Sequence, residues 1–296
     1  MPRDCTGTGA GFDAAYLMGL REVARHAPDL TVPAADRPGI VSVAAPGSGS
    51  DIREIRPYVE GDPLRSIDAP ATARRGELHV RSFHDERERI VLLVADFRRP
   101  MLWGTRRRFR SVAAAEALAI AGWRVVDGGG AVALAIIDDR GLTALRPRTR
   151  VAGMAAVAEA LAHGHAKALA HCGVATDVPP LGAMLGRAAK GVTPGSTVLC
   201  ATSLDHPGPD LEANVARLAR RGRIAMLLLR DAFERNRPPG RFSYYSEEGA
   251  VRRGRIAGQA DHLGGWIERL RAVRGTVGLL DTDAENLLEG LRDGPG

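Results

Sequence analysis

Polar side chains stand directly after the apolar runs of this sequence, where a parallel sheet would bring them together. Each of the four follows a run with the composition of a buried strand: Asp96, Asp138, Thr202 and Asp231. In a mostly parallel sheet, ligands bind in the crevice beyond the carboxyl ends of the strands. These four positions are therefore the first candidates for a binding site.

Three glycine-rich segments, at residues 7–11, 128–130 and 191–196, invite comparison with phosphate-binding loops. Such a loop follows a strand, opens a helix and commonly supplies a lysine. Residues 7–11 follow no predicted strand, residues 128–130 precede one, and residues 191–196 lack the lysine. We interpret all three as turns, and no nucleotide or other cofactor is expected.

A zinc site and a hydrolytic nucleophile are the other chemistries that the residue types suggest. Imidazole and thiolate are zinc ligands, but a helix over residues 151–170 points His163 and His165 to nearly opposite sides. We therefore interpret His163, His165, His171 and Cys172 as a structural group, with the histidines solvated at a frayed helix end. Ser203 lies in no Gly-x-Ser-x-Gly turn after a strand and has no base at a meaningful spacing. The sequence favours a binding protein over an enzyme.

Strands and helices alternate strictly from Arg89 onward, which predicts an α/β fold. Strands buried on both faces and separated by helices form a mostly parallel sheet with helices on both sides. The predicted strands are residues 90–95, 131–137, 197–201, 224–229 and 276–280. The predicted helices are residues 109–126, 151–170, 181–189, 211–220, 263–273 and 284–291.

The first 88 residues have a different character. A helix is predicted over residues 12–26, a short strand between loops at residues 40–43, and a half-buried strand at residues 77–83. We expect residues 1–88 to form an N-terminal extension and residues 89–296 to form the α/β domain. Residues 242–245 are predicted to be a strand or the edge of a hairpin.

The charge of the chain raises the question of an anionic partner. The 296 residues carry 41 Lys and Arg against 35 Asp and Glu, a formal net charge of +6. Lys167 and Lys190 are the two lysines, so the excess is arginine spread along the chain, with few aromatic residues beside it. A stacking surface for nucleic acid needs such aromatics, so we expect no nucleic-acid partner. The sequence contains no apolar run of the length that a membrane span needs, and we expect a cytoplasmic protein.

The most informative segment, at residues 56–81, carries a motif in two parts. The first part combines arginines, acids and turn residues, and the second is rich in arginine. The first part contains Arg56, Tyr58, Gly61, Asp62, Arg65, Ile67 and Asp68, and the second contains Ala73, Arg74, Arg75, Gly76, Leu78, Val80 and Arg81.

This order resembles the signature of the bacterial DUF58 family, whose members look like von Willebrand factor A domains preceded by RxYxxGDxxRxIDW. The tryptophan of that motif is Ala69 here. We interpret the motif as structural, because Gly61 and Asp62 form a turn sequence and its charged groups can pair. The resemblance also implies a von Willebrand factor A-like, Rossmann-like sheet.

The resemblance implies a degenerate metal-ion-dependent adhesion site. Von Willebrand factor A domains hold a divalent cation with a DxSxS segment, a threonine and a second aspartate. Here DxSxS is replaced by residues 96–100, with Arg98 and Pro100 at the serine positions. Thr176 matches the threonine, and Thr202 stands in place of the second aspartate.

We hypothesise that the Arg98 guanidinium occupies the vacated site and pairs with Asp96 or Asp177. In the alternative, Asp205 replaces the lost aspartate, and Asp96, Thr176 and Asp205 retain a weak magnesium site.

The function implied by the resemblance is that of an accessory protein. Such proteins work as chaperone-like adaptors with a MoxR-type AAA+ ATPase in assembling or maturing a client complex. The client is unknown. The alternatives are a metal-dependent protein-binding module and a maturation factor for a periplasmic metalloenzyme such as methanol dehydrogenase.

Overall fold

The computed structural model describes residues 9–30, 47–59, 67–83, 89–172, 177–236, 239–245, 251–256, 262–285, 287, 289 and 291–293. The described helices are α1 Ala14–Gly19, α2 Arg21–His26, α3 Ala69–Arg75, α4 Arg110–Asp127, α5 Arg150–His171, α6 Leu181–Ala188, α7 Leu211–Arg221, α8 Ala232–Arg235 and α9 His262–Ala272. The described strands are β1 Gly47–Pro57, β2 His79–Phe83, β3 Ile90–Asp96, β4 Ala131–Asp138, β5 Gly141–Thr149, β6 Thr197–Thr202, β7 Arg223–Arg230, β8 Gly240–Tyr245, β9 Val251–Ile256, β10 Thr276–Asp281 and β11 Leu291–Asp293.

Seven of the described strands form one sheet in the order β11-β10-β7-β6-β3-β4-β5. The five inner strands are parallel, and the edge strands β5 and β11 are antiparallel to their neighbours. Strand β3 lies near the centre, and its apolar sequence is buried from Val91 onward. The predicted α/β fold, with a mostly parallel sheet and helices on both faces, is confirmed.

Two apolar layers cover the sheet. Helices α1, α2, α4 and α5 pack on one face, where α4 is buried along almost its whole length. Helices α6, α7 and α9 pack on the other. The alanines of α4 allow this central position, because small side chains let neighbouring helices and strands approach closely.

The chain divides into two compact units, with boundaries after residues 37 and 88. One unit comprises residues 1–37 and 89–296, and the other comprises residues 38–88. Helices α1 and α2 belong to the larger unit, because the Trp123 Nε1 donates to the Leu17 carbonyl and Arg124 donates to the carbonyls of Ala24 and Ala27. The predicted single helix over residues 12–26 is interrupted at Leu20.

The smaller unit contains the antiparallel pair β1 and β2 together with α3. Asp68 is buried and caps α3, because its carboxylate accepts a 2.7 Å hydrogen bond from the Ala71 amide. Gly76 ends the helix at φ +74°, a conformation that favours glycine. The predicted strand at residues 77–83 is confirmed as β2. The predicted strand at residues 40–43 lies outside the described residues.

Two features near the ends of the sheet differ from the prediction. Residues 141–149, for which no element was predicted, form edge strand β5. The helix predicted at 284–291 is wrong for the described residues of that stretch, which lie in turns, and Leu291–Asp293 pairs with β10 instead. The exposed edge of β10 offers backbone partners that a short, partly solvated helix lacks.

A glycine at the start of α6 sets how closely α6 and α7 approach. A Cβ on Gly182 would lie 2.5 Å from the Leu211 backbone nitrogen. We therefore expect Gly182→Ala to lower the free energy of unfolding by about 1–3 kcal/mol in urea denaturation. Gly265→Ala in α9 is the matched control, since a Cβ there meets nothing within 4 Å. That substitution should stabilise the protein by about 0.5–1 kcal/mol, and equal effects at the two positions would contradict the packing argument.

Candidate functional site

The carboxyl ends of β3 and β6 meet at a buried pair of polar side chains. Asp96 ends β3 and Thr202 ends the neighbouring strand β6, and both are fully buried. The Thr202 hydroxyl donates to Asp96 Oδ2 at 2.7 Å. Thr202 therefore helps to hold the orientation of the Asp96 carboxylate.

Arg98 supplies the counter-charge to Asp96. Its Nε donates to Asp96 Oδ1 at 2.8 Å, its Nη2 donates to Oδ2 at 2.7 Å, and its backbone amide also donates to Oδ1. Asp96 is thus the partner of Arg98, whereas Asp177 is exposed. Only 1% of the Arg98 side chain is exposed. This bidentate geometry is the strong form of an arginine–carboxylate pair.

The remaining donors of Arg98 bind backbone carbonyls of two loops. Nη1 donates to the carbonyls of Pro179 at 2.8 Å and His206 at 3.2 Å, and Nη2 also donates to the carbonyl of Asp205 at 3.0 Å. A guanidinium has five N–H donors. All five are used within the chain, so Arg98 joins the loop after β3, the segment before α6 and the loop after β6.

The loop after β6 adopts an unusual backbone conformation to reach Arg98. Leu204 and His206 have φ values of 61° and 47°, in the left-handed region that side chains other than glycine rarely adopt. Leu204 and His206 flank Asp205 in the sequence. The consecutive carbonyls of Asp205 and His206 both accept hydrogen bonds from the Arg98 guanidinium. The same loop also binds the start of α6, because the Leu181 and Gly182 amides donate to the carbonyls of His206 and Pro207.

The protonation states of this cluster are set by burial and by the charge pair. Burial lowers the pKa of Arg98, but the Asp96 carboxylate outweighs it, and the net effect raises the pKa. Burial raises the pKa of the nearby Cys200 thiol well above its usual range. Arg98 therefore stays charged and Cys200 stays a neutral thiol at physiological pH, which makes Cys200 a poor nucleophile or metal ligand.

The other candidate ligands of the family pattern are placed differently. Thr176 lies outside the described residues. Asp205 turns its carbonyl toward Arg98, while its carboxylate accepts from the Ser203 hydroxyl at 2.6 Å and from Arg110 Nη1 at 2.9 Å. The Asp205 carboxylate is therefore already bound within the chain.

Arg110 is a second buried arginine beside this site, which the sequence analysis did not identify. It is 2% exposed, pairs with Asp205 and Glu234, and lies over the Trp103 ring at 4.2 Å. Its sequence context, the start of a helix after an arginine run, resembles a solvated position. Burial and the convergence of two acids are tertiary features that local spacing does not reveal.

The other two strand-end aspartates also bind within the chain. Asp231 caps α8 and accepts from the hydroxyl and amide of Thr105. Burial raises the pKa of Asp231, but these hydrogen bonds outweigh it, and the net effect lowers the pKa. Asp138 accepts from the Arg140 amide and lies 3.6 Å from Lys167 Nζ. The strand ends thus carry a network of internal ion pairs.

The residues present do not fit a divalent cation at this site. The Asp96 oxygens already accept hydrogen bonds from Arg98 and Thr202, and a buried guanidinium adjoins them. A fixed positive charge at this distance repels a cation. Among the described residues, no group of three or more His, Cys, Asp or Glu side chains is arranged to hold a metal ion.

We expect calorimetric titration with Mg²⁺ and with Mn²⁺ to detect no binding tighter than about 1 mM at neutral pH. The physical reason is the repulsion and the occupied oxygens at Asp96. An Asp96→Asn protein is the matched control, since any surface binding should persist in it. Tight binding that this substitution abolishes would contradict the expectation.

His165 differs from the solvated histidine expected at the sequence level, and that interpretation is wrong. Its ring is 2% exposed, stacks on Phe12 at 4.8 Å, contacts the edge of Phe97 at 5.3 Å, and lies 2.9 Å from the Ser111 hydroxyl. Burial lowers the pKa of His165 to about 4. His163, two residues away, is exposed.

Three motif residues of the smaller unit make internal hydrogen bonds in the described part of the chain. Asp68 caps α3, the Tyr58 amide donates to the Leu78 carbonyl, and the exposed Arg74 side chain donates to the Pro70 carbonyl. Arg56 lies within β1. Gly61, Asp62 and Arg65 lie outside the described residues.

Searches of characterised proteins and of solved structures find no match to this chain. Within the described residues, no helix is both long and apolar enough to cross a membrane. A family model described as "Protein of unknown function DUF58" matches residues 54–242, well over half of the chain. The match includes the motif segment, strands β3 to β7 and the buried Asp96–Arg98 pair. This chain therefore belongs to the DUF58 family.

Proposed function

We propose that this protein is a non-enzymatic adaptor that works in the cytoplasm with a MoxR-type AAA+ ATPase in assembling or maturing a client protein complex. The observation that carries the proposal is the full internal use of the Arg98 donors at the strand ends. A metal-dependent adhesion domain captures an acidic partner through an open coordination position. In this chain the Arg98 guanidinium is fixed against Asp96 by its internal contacts, which supports recognition of the partner by the protein surface without a metal ion.

The state of the candidate catalytic groups supports a binding role. Ser203 donates to Asp205, whose carboxylate is paired with Arg110 rather than with a histidine. Ser111 and His165 form a hydrogen-bonded pair, but both side chains are buried, so a substrate in solution could not reach them. A nucleophile needs a base in contact and an open approach for the substrate, and neither serine combines the two.

Purification from the native host, with and without ATP, tests the adaptor role. We expect the tagged protein to recover a MoxR-type ATPase, identified by mass spectrometry, in an amount that depends on nucleotide. Recovery is compared with that from an untagged strain of the same host, from which no ATPase should be recovered. Failure to recover any AAA+ ATPase under either condition would remove the adaptor role.

Two further measurements separate the other functional classes. Affinity for duplex DNA that falls steeply with salt would indicate a nucleic-acid binder. Hydrolysis that Ser203→Ala or Asp96→Ala abolishes would indicate an enzyme. We expect neither result.

A further inference from the structure

Strands β8 and β9 form a separate antiparallel hairpin, distinct from the central sheet. Arg241, Phe242 and Ser243 are consecutive and all exposed, as are Val251, Arg252 and Arg253. Because successive side chains of a strand point to opposite faces, both faces of the hairpin meet solvent. An isolated two-stranded hairpin is at best marginally stable in water, so this element gains stability when a partner covers it.

One face of the hairpin concentrates positive charge. The register places Arg241 directly opposite Arg255 and Ser243 directly opposite Arg253, so these four side chains share a face with Val251. We call this set, Arg241, Ser243, Val251, Arg253 and Arg255, the arginine face. Like charges directly across a strand pair destabilise it, and opposed residues have Cβ atoms about 5 Å apart. A cross-strand pair of arginines therefore favours an anionic group between them.

The three arginines of this face are exposed. Within the described part of the chain, no carboxylate pairs with Arg241, Arg253 or Arg255. By contrast, Arg98 and Arg110 form ion pairs with carboxylates of the chain. The hairpin thus presents guanidinium donors outward, with their forked geometry suited to carboxylates and phosphates.

Apolar exposure beside the arginines favours a protein partner over a polyphosphate. Val251 is 62% exposed, and Phe242, on the opposite face, is 38% exposed. Arginine together with exposed aromatic side chains is typical of protein interfaces, and an exposed aliphatic side chain such as Val251 gains nothing from a phosphate backbone. The family match ends at residue 242, so β9, which carries two arginines of the face, lies beyond it.

We infer that the arginine face docks onto an acidic, carboxylate-bearing surface of the partner ATPase. This inference rests on the proposed function and assigns the contact to a particular element. Carboxylates of the partner bind between the opposed arginines, relieve their mutual repulsion and stabilise the hairpin, while Val251 packs against apolar surface at the same contact.

The test compares three full-length proteins for binding to the purified MoxR-type ATPase of the same genome. The hairpin variant carries Arg241→Gln, Arg253→Gln and Arg255→Gln. The control variant carries Arg220→Gln, Arg221→Gln and Arg223→Gln, exposed positions at the end of α7 and the start of β7. Each variant loses three positive charges from the same formal net charge of +6, so long-range electrostatics are matched.

We expect the hairpin variant to bind the ATPase about 10-fold or more weakly than the natural protein, with a shallower dependence on salt. The control variant should stay within about twofold. Equal thermal midpoints of the three proteins show that folding is intact. If the triple substitution impairs folding, Arg253→Glu alone provides the comparison and should also weaken binding.

The outcomes separate the two levels of the argument. If the natural protein binds the ATPase and the hairpin variant binds equally well, the hairpin inference is overturned and the proposed function stands. If the natural protein does not bind the ATPase at all, the proposed function fails, and the inference fails with it. Tight binding of a labelled 30-base-pair duplex that only the hairpin variant loses would overturn the inference in favour of a nucleic-acid contact.

Discussion

Replacing Arg98 by alanine should lower the free energy of unfolding by about 3–5 kcal/mol in urea denaturation at neutral pH. The substitution leaves the Asp96 carboxylate buried without its counter-charge and removes the donor from three backbone carbonyls. Arg98→Lys should give an intermediate loss, because an ammonium has no planar fork to span Asp96 and the carbonyls of Pro179 and Asp205.

Arg106→Ala is the matched control, since Arg106 lies in the same segment between β3 and α4 but its side chain is exposed. Exposed arginine substitutions change stability by about 0.5 kcal/mol or less. If Arg98→Ala were as mild as this control, the Arg98–Asp96 pair could not be the element that holds the loops after β3 and β6 together.

Lowering the pH from about 6.5 to about 4 should destabilise the protein through His165 by about 3 kcal/mol. The pKa of this histidine is about 4 in the folded protein, against 6.5 when it is unfolded. Below pH 6.5 the unfolded chain binds a proton at this position that the folded chain excludes, so the unfolded state gains stability. The effect is absent above pH 6.5 and complete below about pH 4.

Urea denaturation at a series of pH values checks this result, with each protein compared with its own stability at pH 7.5. His165→Gln should flatten the pH profile, whatever it costs at neutral pH through lost contacts with Phe12 and Phe97. His163→Gln is the matched control on the same helix and should keep the natural profile. Parallel profiles for all three proteins would contradict the argument, because they would show that His165 has the same pKa in the folded and unfolded states.

The central sheet could be predicted because each inner strand has a recognisable apolar pattern in its own sequence. The apolar runs that form β3, β4, β6 and β7 are buried on both faces, and the run that forms β10 is buried at four of its six positions. Each run can therefore be identified without knowing its neighbours. Edge strand β5 was missed because exposed polar residues and Pro147 interrupt its apolar pattern. The wrong terminal helix has a similar cause, since pairing with β10 overrides local periodicity.

Asp96 and Thr202 could be predicted as candidates from their places at the ends of strands, whereas Arg98 could be predicted only through the resemblance to von Willebrand factor A domains. Arg98 stands out once DxSxS is expected, but three of the five acceptors of its guanidinium are backbone carbonyls of loops far from it in sequence. Burial of His165 did have a local signal. It follows Met154, Ala158 and Leu161 at helical spacing and precedes Ala168, and all of these residues are buried.

The discontinuous larger unit has a consequence for the order in which the nascent chain can fold. Helices α1 and α2 leave the ribosome well before α4, because their packing partner Trp123 follows Leu17 by 106 positions. Translation proceeds at about 5–20 residues per second, so roughly 5–20 s pass before α4 has been synthesised. During that interval the apolar side of α1, centred on Leu17, has no native surface to cover it. The segment at residues 38–88 is synthesised before that surface exists, so it lengthens the time for which the first two helices lack their native packing partner.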